Sequence, residues 1–263
     1  MNNIITLGMH GILAQNEKMD WIGHDIANIR TPAYNSHKTF FSEMRTCEAS
    51  ASGRTPGVQT QRIEEDWSSG SVKQTQTPTD LAIEGKGMFP VARNGETLYT
   101  RAGNFMFDKN SDGPGFVLSR PSGEILADSS GGGIKFSSVP ATFSINPDGT
   151  FGETGQATPS VPRLQLQLFA NPETLTNIGN GLYKPSTETI NHAGAKVDKR
   201  PVSTVAPGSR GSGLIQQGAL EESNVDLVKK FSELLVSQRI YQANSRSIST
   251  GNDMLKKAIQ DLA

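Results

Sequence analysis

The stretch that decides the fold covers residues 223–262 and reads SNVDLVKKFSELLVSQRIYQANSRSISTGNDMLKKAIQDL. Large apolar side chains recur in it at a strict spacing of seven, at Leu227, Leu234, Tyr241, Ile248, Leu255 and Leu262. This spacing predicts one amphipathic helix with a coiled-coil-like seam. Ser223 is the predicted N-cap, with Asp226 as a weaker capping-box partner. At 1.5 Å per residue such a helix would be about 60 Å long, so we expect it to project.

A second helix is predicted at the other end of the chain, between Ile4 and Ile29. It repeats the spacing of seven at Ile5, Ile12, Met19 and Ile26, with Met9, Ile22 and Ile29 at helical offsets. Pro32 should end this helix, because the residue before a proline is pushed out of the helical region. The two seams therefore predict a coiled-coil-like pair built from opposite ends of the chain.

Between the helices the apolar pattern changes to a period of two. Leu81/Ile83, Phe89/Val91 and Leu164/Leu166/Leu168 alternate in this way, and Asn94-Gly95 and Asp148-Gly149 are hairpin dipeptides. We therefore predict an α+β protein in three parts. Residues 79–185 form a central all-β domain, residues 36–78 and 186–218 are extended polar connectors, and residues 1–35 and 219–263 form the terminal helical domain.

Composition excludes several classes of partner and chemistry. The 263 residues carry a net charge of −1, without the basic surplus that binding to nucleic acid or an anionic membrane requires. A single cysteine excludes an internal disulfide framework. No stretch approaches the roughly 18 apolar residues of a membrane span, and the first residues lack a basic signal region. We expect no membrane insertion and export without a cleavable signal.

Candidate catalytic residues are scattered along the chain. The four histidines, His10, His24, His37 and His192, do not pair at metal-ligand spacing. His24 and Asp25, one turn after Asp20, come nearest to a site, but on an amphipathic helix such a trio is more often a solvated face.

Two other motifs have structural interpretations. Gly85-Lys86-Gly87 lacks the spacing of a phosphate loop and fits a turn between strands, and Cys47 fits a free structural thiol. We predict no enzyme and no catalytic, cofactor or metal residue.

The apolar surface of the terminal helices exceeds what one partner helix covers. Phe231, Leu235 and Ile240 lie beside the C-terminal seam, and surface of this kind marks an interaction site. We expect other copies of the chain to cover it. The alternative is a helical hairpin within one monomer. The predicted self-assembly interface is Ile5, Ile12, Met19, Ile22, Ile26, Leu227, Phe231, Leu234, Tyr241, Ile248, Leu255 and Leu262.

Two motifs at the ends of the chain carry a resemblance. Residues 27–35 (ANIRTPAYN) resemble the signature that ends the N-terminal helix of bacterial flagellar rod and hook proteins, and residues 218–226 (GALEESNVD) and 238–245 (QRIYQANS) resemble that family's C-terminal signature. Ala33 stands where the family usually has glycine, and Asn35 where it has a basic residue. The motif residues are Ala27, Asn28, Thr31, Tyr34, Ser223, Asn224, Val225, Gln238, Arg239, Tyr241 and Asn244.

The middle of the chain resembles the β domain of the same family. Residues 79–89 and 99–105 are similar to its opening, and residues 166–172 and 178–183 to its distal-rod branch. Between Phe41 and Val58 the chain looks shorter than long distal-rod members. That difference leaves a proximal rod or short hook-like subunit as an alternative to the distal rod.

The resemblance implies a non-enzymatic subunit of the flagellar basal body. Copies would stack helically around the export channel, terminal helices innermost, after passage through the flagellar type III apparatus. Expected partners are the chain itself, other rod and hook proteins, and surrounding ring proteins. From other classes, a secreted fibrous adhesin with coiled-coil ends stays open, as does a glycan-acting enzyme or binding module of the cell wall. The β domain offers such an enzyme acids such as Glu84, Asp108 and Asp128, but the sequence gives no evidence that two of them face one cleft as a catalytic pair.

Overall fold

The computed structural model describes residues 2–44, 57–110, 115–128, 132–136, 143–153, 163–185, 203–209 and 211–261. Within these ranges the chain is α+β, with one helix near each end and a β-rich region between them. It divides into two compact units. Unit 1 comprises residues 1–29, 35–66 and 225–263, and unit 2 comprises residues 30–34 and 67–224. No helix within the described ranges is long and apolar enough to cross a membrane.

Unit 1 contains both helices, α1 (Asn2–Ala27) and α2 (Leu227–Gln260). The N-cap of α2 is Asp226, whose carboxylate accepts hydrogen bonds from the backbone N–H groups of Val228 and Lys229. The prediction of Ser223 as the cap was wrong, because the Ser223 hydroxyl donates instead to the Tyr34 carbonyl at 3.3 Å. The helix therefore begins after Asp226, where a carboxylate satisfies the first exposed N–H groups.

Unit 1 also contains an antiparallel strand pair, β1 (His37–Met44) and β2 (Gly57–Glu65). The register runs from His37 opposite Glu65 to Met44 opposite Gly57, with an irregularity between Phe40 and Phe41. Both strands lie in the range 36–78, which the sequence predicted as an extended connector. The two strands are ordered by backbone hydrogen bonds, and their composition is mostly polar. The sequence therefore shows no alternation of apolar residues from which the strands could be predicted.

Unit 2 is built from short antiparallel strands. The elements are β3 (Val72–Gln74), β4 (Leu81–Glu84), β5 (Phe89–Arg93), β6 (Glu96–Thr100), β7 (Met106–Lys109), β8 (Phe116–Ser119), β9 (Ile125–Leu126), β10 (Lys135–Phe136), β11 (Phe143–Ile145), β12 (Phe151–Glu153), β13 (Leu166–Leu168), a 3-10 turn (Pro172–Thr174), β14 (Leu175–Gly179), β15 (Leu182–Pro185), β16 (Ser203–Val205), β17 (Leu214–Gln217) and β18 (Ala219–Glu221). The largest sheet has the order β10-β8-β9-β5-β6-β15-β14, with β7 paired to β8. Two-stranded pairs join β4 to β17, β3 to β18, β13 to β16 and β11 to β12.

The core of unit 2 follows the alternating pattern read from the sequence. The side chains of Leu81, Ile83, Phe89, Val91 and Leu164 are all buried in one cluster. Four aromatic rings extend this cluster through edge-to-face contacts, namely Phe107, Phe136, Phe143 and Phe151. Edge-to-face pairs place the positive ring edge on a negative ring face, so they add to the energy of burial alone.

The turn after α1 takes a strained backbone conformation at Ala33, whose φ is +53°. This is the left-handed region, which glycine adopts without steric cost and alanine does not. The Ala33 N–H donates to the carbonyl of Glu221 at 2.9 Å within unit 2, and this bond holds the turn in place. Ala33 therefore adopts the backbone conformation of glycine at the position where the flagellar rod and hook motif usually has glycine.

A buried ion pair joins three loops of unit 2 around Arg101. Its Nε donates to Glu221 Oε2 at 2.8 Å, and its two terminal nitrogens donate to the carbonyls of Gly85 and Gly87 at 3.0 and 3.2 Å. The other Glu221 oxygen accepts from the Gly70 N–H. Gly85 and Gly87 both have positive φ, so this turn exposes its carbonyls to one cation.

We expect Arg101→Ala to lower the free energy of unfolding of unit 2 by about 3 kcal/mol, because it leaves the buried Glu221 carboxylate unpaired. Denaturant unfolding followed by Trp67 fluorescence, in a chain carrying Trp21→Phe, reports on unit 2 separately. Lys184→Ala is the matched control, since Lys184 forms an exposed ion pair with Glu96 and should cost at most about 1 kcal/mol. Equal losses in the two variants would contradict the role given to Arg101.

Candidate assembly surface

The two helices of unit 1 pack antiparallel and close together. A Cβ atom at Gly8 would lie 2.7 Å from Ile248 Cγ1, and one at Gly11 would lie 2.5 Å from Asn244 Nδ2. Near the other end of α1, Asp25 contacts Lys230 at the start of α2. Glycines allow this approach because a Cβ atom at either position would have to displace the facing side chain of α2.

Small and polar residues form one half of the seam between the helices. On α2 the buried residues are Lys230, Ser237 and Gly251, and half-buried Asn244 continues the same spacing of seven. These positions alternate with the predicted apolar ones, so the seam follows the four-three rhythm of a heptad repeat. This half of the seam has no large apolar residue, so the apolar periodicity of the sequence does not reveal it.

The predicted interface residues differ widely in exposure. Ile22 is buried within unit 1. Partial burial is found for Ile5, Ile12, Met19, Ile26, Leu234, Ile248 and Leu255, and exposure for Leu227, Phe231 and Tyr241. Leu262 lies outside the described residues. Within one chain, α1 and α2 thus cover part of the predicted interface and leave part of it in water.

Exposed apolar side chains form a patch on the first two turns of α2. We define the α2 patch as Val228, Phe231 and Leu235, whose exposures are 75%, 48% and 60%. Their spacing places all three on one side of the helix. On α1, Leu7 and Leu13 are also exposed. Contiguous exposed apolar surface marks a site of interaction with another protein.

A buried charge cluster lies where α1, β1 and α2 of unit 1 meet. The Asp25 carboxylate is fully buried and lies 2.7 Å from Lys230 Nζ and 2.8 Å from His37 Nδ1. It also accepts from the His37 backbone N–H, and Lys230 Nζ donates to the His37 carbonyl at 2.8 Å. The Trp21 ring packs on His37, with centroids 4.4 Å apart. We call Asp25, His37 and Lys230 the charge cluster.

The charge cluster corrects the expectation of a solvated face at this point of α1. Asp20 and His24 are exposed, as expected, but Asp25 points inward. Burial by itself would raise the pKa of Asp25. The hydrogen bonds from His37 and Lys230, with the positive charge of Lys230, outweigh burial and hold the pKa below its ordinary value. Asp25 is therefore an ionised, paired carboxylate.

We expect the stabilising effect of Asp25 to disappear in acid. Because the folded pKa is lower than the unfolded one, the effect is complete above the ordinary carboxyl pKa and is lost as the pH falls through the folded pKa. Thermal unfolding of the wild type and Asp25→Asn, followed by Trp21 fluorescence in a Trp67→Phe chain, should show a difference that shrinks between roughly pH 5 and pH 2. A difference that stays constant over this range would mean that Asp25 is not ionised in the folded chain.

The other chemical candidates have ordinary local roles. Glu84 accepts from the Gln216 side chain, Asp128 from the Gly132 N–H and Asp108 from the Lys109 N–H. Cys47 and His192 lie outside the described residues. Within the ranges that the structure describes, no three His, Cys, Asp or Glu residues group as a metal site would require.

The motif residues after α1 and before α2 meet at one backbone carbonyl in unit 2. The Tyr34 carbonyl accepts from the Asn224 N–H and the Ser223 hydroxyl, both at 3.3 Å. The Asn224 side chain donates to the Ser68 carbonyl at 2.9 Å. Thr31 is exposed, and its carbonyl accepts from the Tyr34 N–H. These motif residues therefore fix the turn that follows α1.

The remaining motif residues lie on the helices of unit 1 or next to their ends. The Asn28 side chain donates to the His24 carbonyl at 2.9 Å and so caps the end of α1, after exposed Ala27. Val225 is buried just before α2. On α2 itself, Asn244 contacts the glycines of α1, whereas the side chains that face water are Gln238, Arg239 and Tyr241.

Comparison with known proteins identifies the family. The family model "Flagellar basal body rod FlgEFG protein C-terminal" matches residues 216–261, and "Flagellar hook protein FlgE/F/G D1 domain" matches residues 82–152. The "Flagellar basal-body rod protein FlgG" of Bacillus subtilis is 32% identical over 267 residues, which cover 96% of each chain. The chain belongs to the flagellar basal-body rod protein family.

Other members of the family match over a similar length. The FlgG rod protein of Buchnera aphidicola subsp. Schizaphis graminum is 30% identical over 268 residues, covering 95% of this chain and 96% of the relative. The "Flagellar hook-basal body complex protein FlhP" of Bacillus subtilis is 27% identical over 261 residues, covering 91% of each chain. These matches confirm the resemblance read from the motifs, and the family they identify is one of structural rod proteins.

Proposed function

We propose that this chain is a structural subunit of the flagellar rod that polymerises helically around the export channel. The main support for this proposal is the α2 patch. Its residues Val228, Phe231 and Leu235 are exposed in the single chain, and the chain belongs to a family of rod proteins. Burying each such side chain contributes about 1.5–3 kcal/mol. A polymer gains this energy at every subunit when neighbouring copies cover the patch.

The proposed arrangement places residues 1–35 and 219–263 in the inner wall and residues 79–185 outside. The segments 36–78 and 186–218 would connect the two layers. The four-three rhythm of the α1–α2 seam supports a coiled-coil-like pair within each subunit. Within this pair, the predicted interface residues with the greatest exposure face the neighbouring copies.

We place the subunit in the distal rod. Support comes from the relatives named FlgG, which match over nearly their whole length at 26% to 32% identity. A proximal rod or short hook-like role is the alternative within the family. The proposed partners are other copies, the adjoining rod and hook proteins, the surrounding ring proteins, and the flagellar type III export apparatus. We expect the subunit neither to bind nucleic acid nor to insert into a membrane.

We expect Leu235→Asp to abolish incorporation into the rod and leave the purified chain folded. Leu235 is 60% exposed, so a carboxylate there stays hydrated in the monomer but would be buried without a partner in the polymer. The measurement is motility and basal-body yield in cells, beside circular dichroism and thermal melting of the purified variant.

Lys229→Asp is the matched control for this experiment. Lys229 is exposed in the same turns of α2, and an acidic residue near a helix N-terminus is favourable. Normal rods in the Leu235→Asp strain would exclude the α2 patch as an interface. Loss of the folded monomer instead would show that Leu235 packs within its own chain.

A further inference from the structure

The heptad seam by itself does not define how α1 and α2 are aligned. The apolar positions of α1 repeat every seven residues as Ile5, Ile12, Met19 and Ile26, and those of α2 repeat in the same way. A shift of one helix by seven residues therefore places apolar positions opposite apolar positions again. Repetitive seams of this kind need an additional feature to select one register.

The charge cluster breaks this repetition. In the observed register Gly8 lies beside Ile248, Gly11 beside Asn244, and Asp25 beside Lys230. A shift of one heptad in one direction would bring Lys230 to the level of Lys18, where two positive charges meet. In the other direction it would bring Asp25 to the level of Ser237.

The first shift would separate Lys230 from Asp25 and place it against Lys18, and the second would cover the Asp25 carboxylate with α2 but without Lys230. A buried carboxylate that loses its partner is strongly destabilising, whereas a misplaced apolar side chain can change its rotamer. The glycines also favour the observed register, since Gly8 and Gly11 permit the close contacts with Ile248 and Asn244. The nearest atoms at both glycines are side-chain atoms that can move. The buried Asp25 carboxylate cannot regain a charged partner by a comparable side-chain movement.

The structure assigns to Asp25, His37 and Lys230 the role of a register clasp that aligns the two terminal helices with each other and with β1. His37 contributes from β1 through its ring nitrogen, its N–H and its carbonyl, so the clasp aligns three segments at once. This inference concerns the alignment within one chain and does not depend on the proposed function.

A rival for this role is the turn of unit 2. There the Tyr34 carbonyl accepts hydrogen bonds from Ser223 and Asn224, which precede α2. If these bonds by themselves fixed the register, removing the charges from the clasp would leave the alignment unchanged. The two explanations therefore predict different results for a variant whose clasp is apolar.

Disulfide cross-linking of the full chain measures the register directly. In a Cys47→Ser background, Gly11→Cys with Asn244→Cys reports the observed register, because the Gly11 Cβ position is already in contact with the Asn244 side chain. Gly11→Cys with Ser237→Cys, and Gly11→Cys with Gly251→Cys, report the two shifted registers. With the clasp intact, we expect the observed pair to form in at least about a hundredfold excess over either shifted pair.

The decisive variant is Asp25→Leu with Lys230→Met, which replaces the charges by apolar side chains of similar size. We expect helix content by circular dichroism to be retained and the excess of the observed pair to fall to about tenfold or less. The control, Lys38→Leu with Asp66→Leu, removes an ion pair of unit 1 that is partly exposed and should leave the excess unchanged. An unchanged excess in the apolar variant would overturn the inference in favour of the turn.

Discussion

Unit 1 depends on the ionised carboxylate of Asp25 and on the two groups that pair with it. A buried charge is tolerated only when nearby groups compensate the lost hydration, and Lys230 and His37 supply that compensation from separate elements. The end of α1, the start of β1 and the start of α2 therefore meet at this carboxylate. One electrostatic requirement thus joins segments from both ends of the sequence.

Unit 2 uses the same principle at Arg101. Its guanidinium pairs with the buried Glu221 carboxylate and also donates to two carbonyls of the turn between β4 and β5. These three hydrogen bonds together fix the orientation of the guanidinium group. The planar, forked donors of arginine suit this set of acceptors better than the single ammonium group of lysine would. In both units, a paired buried charge joins segments that are far apart in the sequence.

The helix pair distributes its side chains in an unusual way. Glycines and polar residues lie inside the seam, whereas Val228, Phe231 and Leu235 face water. The apolar residues of the seam are already partly buried within one chain, whereas the exposed patch gains no energy from burial until another surface covers it. For a member of the rod family, this distribution is consistent with a subunit whose stability increases when neighbouring copies assemble around it.

The sequence by itself determined the two helices, the β-rich middle and the family. Periodicity reports apolar surface, and the Leu227 series and the Leu81–Val91 alternation are strong enough to be read without a structure. The end motifs were equally readable, because they are local strings such as residues 27–35. These features depend on residues that are close in sequence, and local spacing records them.

The tertiary structure decided the features that depend on polar contacts between distant residues. The N-cap at Asp226, the pairing of β1 with β2 and the polar half of the helix seam have no apolar period. Asp25 is the clearest example of such a feature. Its position on an amphipathic helix next to His24 predicts a solvated residue, but in the folded chain it is buried against His37 and Lys230. Burial of a polar group is a property of its partners, and partners brought together by folding cannot be read from local spacing.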